Sequence, residues 1–259
     1  MSNGENMVKD QRLKGKSAII TGASSGIGKA AAVRLAQDGC NIFMVARRER
    51  RLQELKEEIA SLDVQIEYAV GDVTNEDFAE KVVLQAHEMF GCLNILVLSA
   101  GNAFIRSFSS TSTIHFRSLM EVNSFGVVNF CKEGIKKMSP GGSIILITSP
   151  TGIYGAKGMS AYALSKGGIV AFGRCLALEL AVRNIRVNII SPGFVETEMT
   201  QKLCRGLTEA QNKQIEGAHP LGIGNATDVA NAISFLASGE SSWITGIVLP
   251  VDGGFTLGK

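Results

Sequence analysis

Short runs of apolar, β-branched residues alternate with longer helical stretches along the whole 259-residue chain, and no other feature narrows the fold as much. The runs fall at residues 17–21 (SAIIT), 41–46 (NIFMVA), 64–70, 94–101, 142–149, 186–191 and 246–254. Helical patterns lie between them, from a Gly-rich turn to about Asp38, over RERRLQELKEEIASL, over NEDFAEKVVLQAHEMF, over residues 114–138 and from Tyr162 to about Arg183. Strands that are apolar throughout are buried on both faces, so they belong to a parallel sheet covered by helices. Strict β/α alternation then predicts one α/β domain with a doubly wound, seven-stranded parallel sheet. The polar stretch at 1–13 reads as an extension, and residues 14–259 as the domain. No linker or repeat interrupts it. One long connection, residues 193–225, mixes apolar and polar residues and reads as an irregular lid over a pocket.

Composition removes several function classes. Hydrophobic residues make up 45% and charged residues 19%, which is enough for a large core and argues against disorder. A net charge of +2 is too near neutral for a nucleic-acid or anionic-membrane binder. No apolar run approaches the roughly 18 residues that span a bilayer, and the polar N-terminus has no signal-peptide core, so a cytoplasmic location is expected. The five cysteines are scattered without a C-x-x-C, and the three histidines, His87, His115 and His219, lie far apart. Neither a disulfide framework nor a metal site is expected, and the histidines read as ordinary surface or core residues.

The turn TGASSGIG, residues 21–28, ends the first strand and opens the first helix. Gly22, Gly26 and Gly28 permit a tight turn and a close backbone approach, and a helix N-terminus offers free N–H groups to a pyrophosphate. With Ser24, Ser25 and Ile27 between them, these residues are the candidate dinucleotide contacts. The second strand ends at Ala46, where NAD sites usually carry an acid; here Arg47, Arg48, Glu49, Arg50 and Arg51 follow. Cations at a helix N-terminus oppose its dipole, so a negative group is wanted there. A 2′-phosphate fits, which favours NADP(H) over NAD(H), with Arg47 and Arg48 as its contacts.

Tyr162 and Lys166 are four residues apart in SAYALSKGG, which puts both on one helical face. Free in water both stay protonated to about pH 10. A neighbouring ammonium stabilises phenolate, so the pairing predicts a tyrosine pKa lowered toward neutrality and suited to general acid catalysis.

Taken together these motifs resemble the short-chain dehydrogenase/reductase family in its single-domain branch, from about Lys14 to Gly254. The resemblance implies a Rossmann-type fold and hydride transfer between a nicotinamide and a carbonyl or secondary alcohol. It implies that Asp72 and Val73 in GDVT meet the adenine, and that Ala100 and Gly101 line the cofactor with their backbone. Pro192, Gly193, Val195 and Thr197 resemble the segment that holds the carboxamide and phosphate. Asn123 in EVNSFG resembles the active-site asparagine that holds a water linked to the lysine. Ser149, thirteen residues before Tyr162, resembles the catalytic serine; Tyr162 and Lys166 complete the set, the lysine also binding ribose. The chain departs from the family at Leu98-Ser99, where Asn-Asn is usual, which puts local rigidity in question. Pro150, directly after Ser149, fixes φ and removes a donor.

The C-terminal HPLGIGNATDVANAISFLAS resembles 3-oxoacyl-carrier-protein reductases and related secondary-alcohol dehydrogenases. Phe104, Ile153, Tyr154, Met159, Phe194 and Met199 predict an apolar pocket suited to a hydrophobic or acyl-chain ketone. An acidic acyl carrier protein is a candidate partner, with Lys132, Lys136, Lys137 and Arg183 as its dock. Steroid or sugar dehydrogenation with NAD(H), and NADP(H) sensing without turnover, are the alternatives. By resemblance the assembly is a homotetramer; Ile169, Phe172 and Leu176 serve either a core or that interface.

Overall fold

The computed structural model describes residues 11–257, so most of the polar extension expected at 1–13 lies outside the described residues. Leu13, assigned to that extension, is 1% exposed and packs into the core. Nine strands form among the described residues: β1 (Ser17–Thr21), β2 (Asn41–Ala46), β3 (Ile66–Val70), β4 (Leu93–Leu98), β5 (Met138–Ile147), β6 (Arg186–Pro192), β7 (Val195–Glu196), β8 (Gly224–Asn225) and β9 (Val248–Val251). Seven of them make one parallel sheet in the order β3-β2-β1-β4-β5-β6-β9, while β7 and β8 pair separately. The helices are α1 (Gly26–Gln37), α2 (Glu49–Glu58), α3 (Glu76–Phe90), α4 (Thr113–Met120), α5 (Gly126–Lys137), α6 (Thr151–Tyr154), α7 (Ser160–Leu180), α8 (Glu198–Cys204), α9 (Glu209–Gly217) and α10 (Ala226–Ala237).

Alternation along each strand divides the core in two. Ala18, Ile20, Ile42 and Met44 face α1, α2 and α10, where they meet Leu35, Leu52, Leu55 and Ile233. Ile19, Phe43 and Val45 face α3, α5 and α7, where they meet Val82, Phe130 and Ile169. Ile169 and Leu176 are core residues, and Phe172 packs against them. Gly173 lets α7 lie close on the sheet: a Cβ there would come 2.9 Å from Ile189 and 3.0 Å from Leu146.

The sheet order reverses between β1 and β4. Register aligns Thr21 with Leu98, Leu98 with Leu146, and Ile147 with Ile190, so the loops after β1, β4, β5 and β6 open on one edge. Ligands of doubly wound sheets bind at such a switch point.

Several boundaries differ from expectation. β3 begins at Ile66, because Val64 N–H turns back to Leu62 O at 2.9 Å. The helix expected over 114–138 is interrupted by a π-turn at Glu121–Phe125. The connection at 193–225 is not irregular. It holds α8 and α9, each opened by a capping box (Thr197 with Thr200, Thr208 with Gln211), and its ends are joined by the β7–β8 pair.

Candidate active site

The loop after β1 is built for an anion. Gly22 has φ +73°, and a Cβ on it would sit 2.9 Å from the Ala100 backbone. A Cβ on Gly28 would run into the Gly22 carbonyl, so that glycine serves packing and does not line the cleft. Ser25 caps α1 without a side-chain hydrogen bond, and the first turn holds no acid. First-turn N–H groups therefore lack a side-chain acceptor at the cleft wall, which fits a pyrophosphate.

The Leu98-Ser99 departure leaves the loop rigid by another route. Leu98 is 1% exposed within the core, and Thr21 Oγ1 accepts from Ser99 N at 3.1 Å and Ala100 N at 3.2 Å. A strand-end threonine thus ties β1 to the loop after β4.

Beyond β2, Arg47 lies 3.6 Å from the Asp72 carboxylate. Asp72 also accepts from Thr74 N and Oγ1 at 3.0 Å, and the Val73 carbonyl accepts from Asn129 at 3.1 Å. Arg48 donates to Ser24, Ser25 and, across the cleft, Glu198 on α8.

Ser149 follows β5, and Tyr162 and Lys166 come from the first turns of α7. Ser149 hydrogen-bonds Tyr162. Tyr162 is partly open to the cleft, yet burial of its phenol pushes the pKa up to about 12, and the Ser149 bond only draws it part of the way back. The expected lowering by Lys166 is therefore overturned. Lys166, 4% exposed, donates from Nζ to Ile147 O at 2.8 Å, and burial pulls its own pKa down to about 8. Desolvation is the largest influence on both groups.

Asn123 is fully buried in the π-turn and does not line the cleft. Its Oδ1 accepts from Asn102 N at 2.8 Å, and its Nδ2 donates to Asn102 O at 2.9 Å and Ser165 Oγ at 3.0 Å. The side chain clamps the loop after β4, and it lies on the Lys166 side of that loop: a Cβ on Gly101 would sit 3.2 Å from Asn123 Oδ1 and 3.4 Å from Lys166 Nζ.

These residues wall one cleft of about 1030 Å³. Apart from Gly28 and Asn123, every residue proposed from the sequence for cofactor or catalysis lines it, from Gly22 and Ile27 to Pro192, Gly193, Val195 and Thr197. Met159, Phe194 and Met199 line it as expected, whereas Ile153 and Tyr154 are exposed outside it and Phe104 packs edge-on against His115. The sequence did not single out Leu203, Leu207, Ile215, His219 or Phe255, which also line it. His219, read as ordinary, is 4% exposed, stacks on Phe255 at 4.6 Å and accepts from Phe194 N at 3.0 Å. A lone histidine carries no spacing signal for such a role.

The proposed carrier dock is also displaced. Arg183 donates to Ile135 O and Met138 O, and Lys136 pairs with Glu133. Lys136, Lys137 and Arg183 lie where α5 and α7 run into the starts of β5 and β6, the edge opposite the cleft. The lysines on the cleft wall besides Lys166 are Lys157 and Lys202.

Residues 22–256 match the family described as Enoyl-(Acyl carrier protein) reductase. The chain is 37% identical over 249 residues to the 3-oxoacyl-[acyl-carrier-protein] reductase of Thermotoga maritima, covering 95% of this chain and 100% of that one. It is 35% identical over 250 residues to a tropinone reductase homolog of Arabidopsis thaliana, covering 95% of this chain and 91% of the relative. A crystal structure of a short-chain type dehydrogenase/reductase from Mycobacterium marinum superposes with a TM-score of 0.88 at 30% identity, over 96% of this chain and 98% of that one. With that fold, that cleft and these relatives, the chain belongs to the short-chain dehydrogenase/reductase family and is an oxidoreductase.

Proposed function

We propose that the protein interconverts a carbonyl and a secondary alcohol with NADP(H), acting on a hydrophobic or acyl-chain ketone such as a 3-oxoacyl thioester. The observation that carries this reading is the meeting of Ser149, Tyr162 and Lys166 in the cleft that also holds the uncapped start of α1. When bound, the nicotinamide supplies hydride in reduction and takes it in oxidation. Tyr162, its pKa raised, is a neutral phenol at physiological pH and so carries the proton that a forming alkoxide needs. Ser149 donates to the same oxygen and stabilises the charge developing there. Lys166 keeps its proton at pH 7, and its charge stabilises the phenolate left behind. Asn123 fixes the loop after β4 with its side chain and, beside Lys166, would hold the water through which that lysine regains a proton.

Arg47 and Arg48 support the choice of NADP(H); Asp72, Val73, Ala100 and Gly101 line the adenine and ribose side, and Pro192, Gly193, Val195 and Thr197 the carboxamide side. Residues 14–259 act as one cofactor-binding unit, with 193–225 as its substrate lid. Met199, Leu203, Leu207 and Ile215 give that lid an apolar underside. The relatives' names include an acyl-carrier-protein substrate. An acidic carrier would meet Lys157 and Lys202 at the cleft. Among the described residues no helix is long and apolar enough to cross a membrane, which is compatible with a cytoplasmic enzyme.

Tyr162→Phe tests the reading. NADPH oxidation across β-keto thioesters, ketosteroids, sugars and small ketones should fall about 10²- to 10⁴-fold in kcat, the usual range for losing a general acid, while NADPH still binds. Wild-type turnover in that variant would overturn the assignment.

A further inference from the structure

One carboxylate joins the lid to the segment that reads as the phosphate pocket. Glu198, the first residue of α8, accepts from Arg48 Nη1 through Oε2 at 2.6 Å, and its Oε1 lies 3.5 Å from Arg51 Nη2. Arg48 also donates from Nε and Nη2 to Ser24 Oγ at 3.2 and 3.0 Å, and from Nη2 to Ser25 Oγ at 2.6 Å. All three guanidinium nitrogens are thus bonded. The cluster gathers the turn before α1, the start of α2 and the lid. Arg48, Ser24, Ser25 and Glu198 all line the cleft.

A carboxylate and a phosphate ask the same thing of an arginine: N–H donors aimed at two oxygens, and a positive charge. One guanidinium edge does not serve both at full strength. The Glu198 side chain is 37% exposed and opens a seven-residue lid helix, so displacing it disturbs no core packing.

We infer that Glu198 is a cofactor-specificity residue: its carboxylate competes with the 2′-phosphate of NADP(H) for Arg48, and so latches α8 to the phosphate pocket until that phosphate displaces it. The inference rests on the NADP(H) reading above. Coupling of this kind is reciprocal, so whatever weakens the latch tightens phosphate binding. Cofactors without the 2′-phosphate leave the latch unchallenged.

The test is calorimetric titration of the full chain with adenosine 2′,5′-bisphosphate and with 5′-AMP, which differ only in the 2′-phosphate. Wild type, Glu198→Gln and Arg48→Ala are compared. Glu198→Gln keeps the shape and an acceptor but loses the charge. Exposed ion pairs are modest, so it should bind the bisphosphate about two- to fivefold tighter and 5′-AMP unchanged. Arg48→Ala should weaken the bisphosphate and spare 5′-AMP. If Arg48→Ala behaves so while Glu198→Gln binds the bisphosphate no tighter, or tightens both ligands alike, the competition is refuted and the NADP(H) reading stands. If Arg48→Ala spares the bisphosphate as well, the NADP(H) reading falls, and the latch with it.

Discussion

Lys166 holds a charge where water hardly reaches it. At 4% exposure, with Ile147 O taking one of its protons, its pKa is pulled down from 10.5 to about 8 by burial. The linkage sign follows. A folded pKa below the unfolded one means that the unfolded chain binds more protons between the two values, so stability rises with pH across that window. The contribution is fully present above about pH 10.5 and is lost as pH falls through about 8. At 1.36 kcal/mol per pKa unit it amounts to about 3 kcal/mol, most of it gained between pH 8 and 10. Lys166→Met removes this slope. Urea unfolding from pH 7 to 10 should therefore show wild type gaining on the variant by most of that amount; parallel profiles would mean that the lysine is not a buried cation at pH 7. Tyr162 does not confuse the comparison, because its pKa is raised and its opposing effect begins only above about pH 10. On the proposed function that unfavourable charge is kept because the chemistry uses it.

The lid, α8 and α9, buries none of its own residues fully and is held by its ends. His219 ties them: its Nε2 accepts from Phe194 N at 3.0 Å, before α8, and its Nδ1 donates to Ile215 O at 2.7 Å, within α9. The ring is locked between stacked Phe255 and edge-on Phe194. His219→Phe keeps the aromatic packing and deletes both hydrogen bonds; Ile215 O keeps the Ala218 N–H, while the part-buried Phe194 N–H loses its acceptor, at about 1–3 kcal/mol. The lid should open more often, with cleavage within residues 198–217 by a dilute protease rising about tenfold or more while global unfolding shifts little. Unchanged cleavage would show that β7–β8 pairing alone holds the lid. The same weak packing explains why the sequence showed a lid but not the helices in it. A long apolar stripe announces a helix, and α8 and α9 carry only Met199, Leu203 and Ile215 toward the cleft, too few for a helical period to stand out. The π-turn that points Asn123 at Asn102 was equally silent, since its neighbours keep a helical apolar pattern. The buried strands and the Tyr162–Lys166 pair were legible because continuous apolar runs and one-turn spacing each have a single structural meaning. What spacing does not encode is desolvation, and that is why the tyrosine shift came out with the opposite sign.

At the scale of the whole molecule, α7 is apolar on two sides. Its inner side, with Ala161, Ile169, Gly173, Leu176 and Leu180, packs on the sheet. Its outer side presents Leu164, Gly168, Ala171, Cys175 and Leu178, and Val182 continues the line in the following turn; the steps alternate between four and three residues, all are exposed and none is charged. Leu178 is 80% and Val182 91% exposed. An exposed apolar line on a helix whose opposite side is already packed wants a second cover, and small residues at 168 and 171 let a partner helix come close. Because the stripe is self-similar along its length, a second copy of the same chain antiparallel to it is the simplest cover, and closed symmetry allows a tetramer to grow from such a pair. Light scattering should then give a mass that is a multiple of 27.5 kDa, four copies for the assembly the family resemblance implies. Ala171→Lys with Leu178→Lys sets like charges across the pair and should drop the mass by half or more while the monomer fold, judged by circular dichroism, survives. A wild-type chain that elutes at the mass of one copy would leave the stripe without a partner and refute the assembly. Turnover ties this scale to the first: Tyr162 and Lys166 ride on the same helix, on its inner turns, so loss of the partner should loosen their placement and lower kcat more than it weakens cofactor binding.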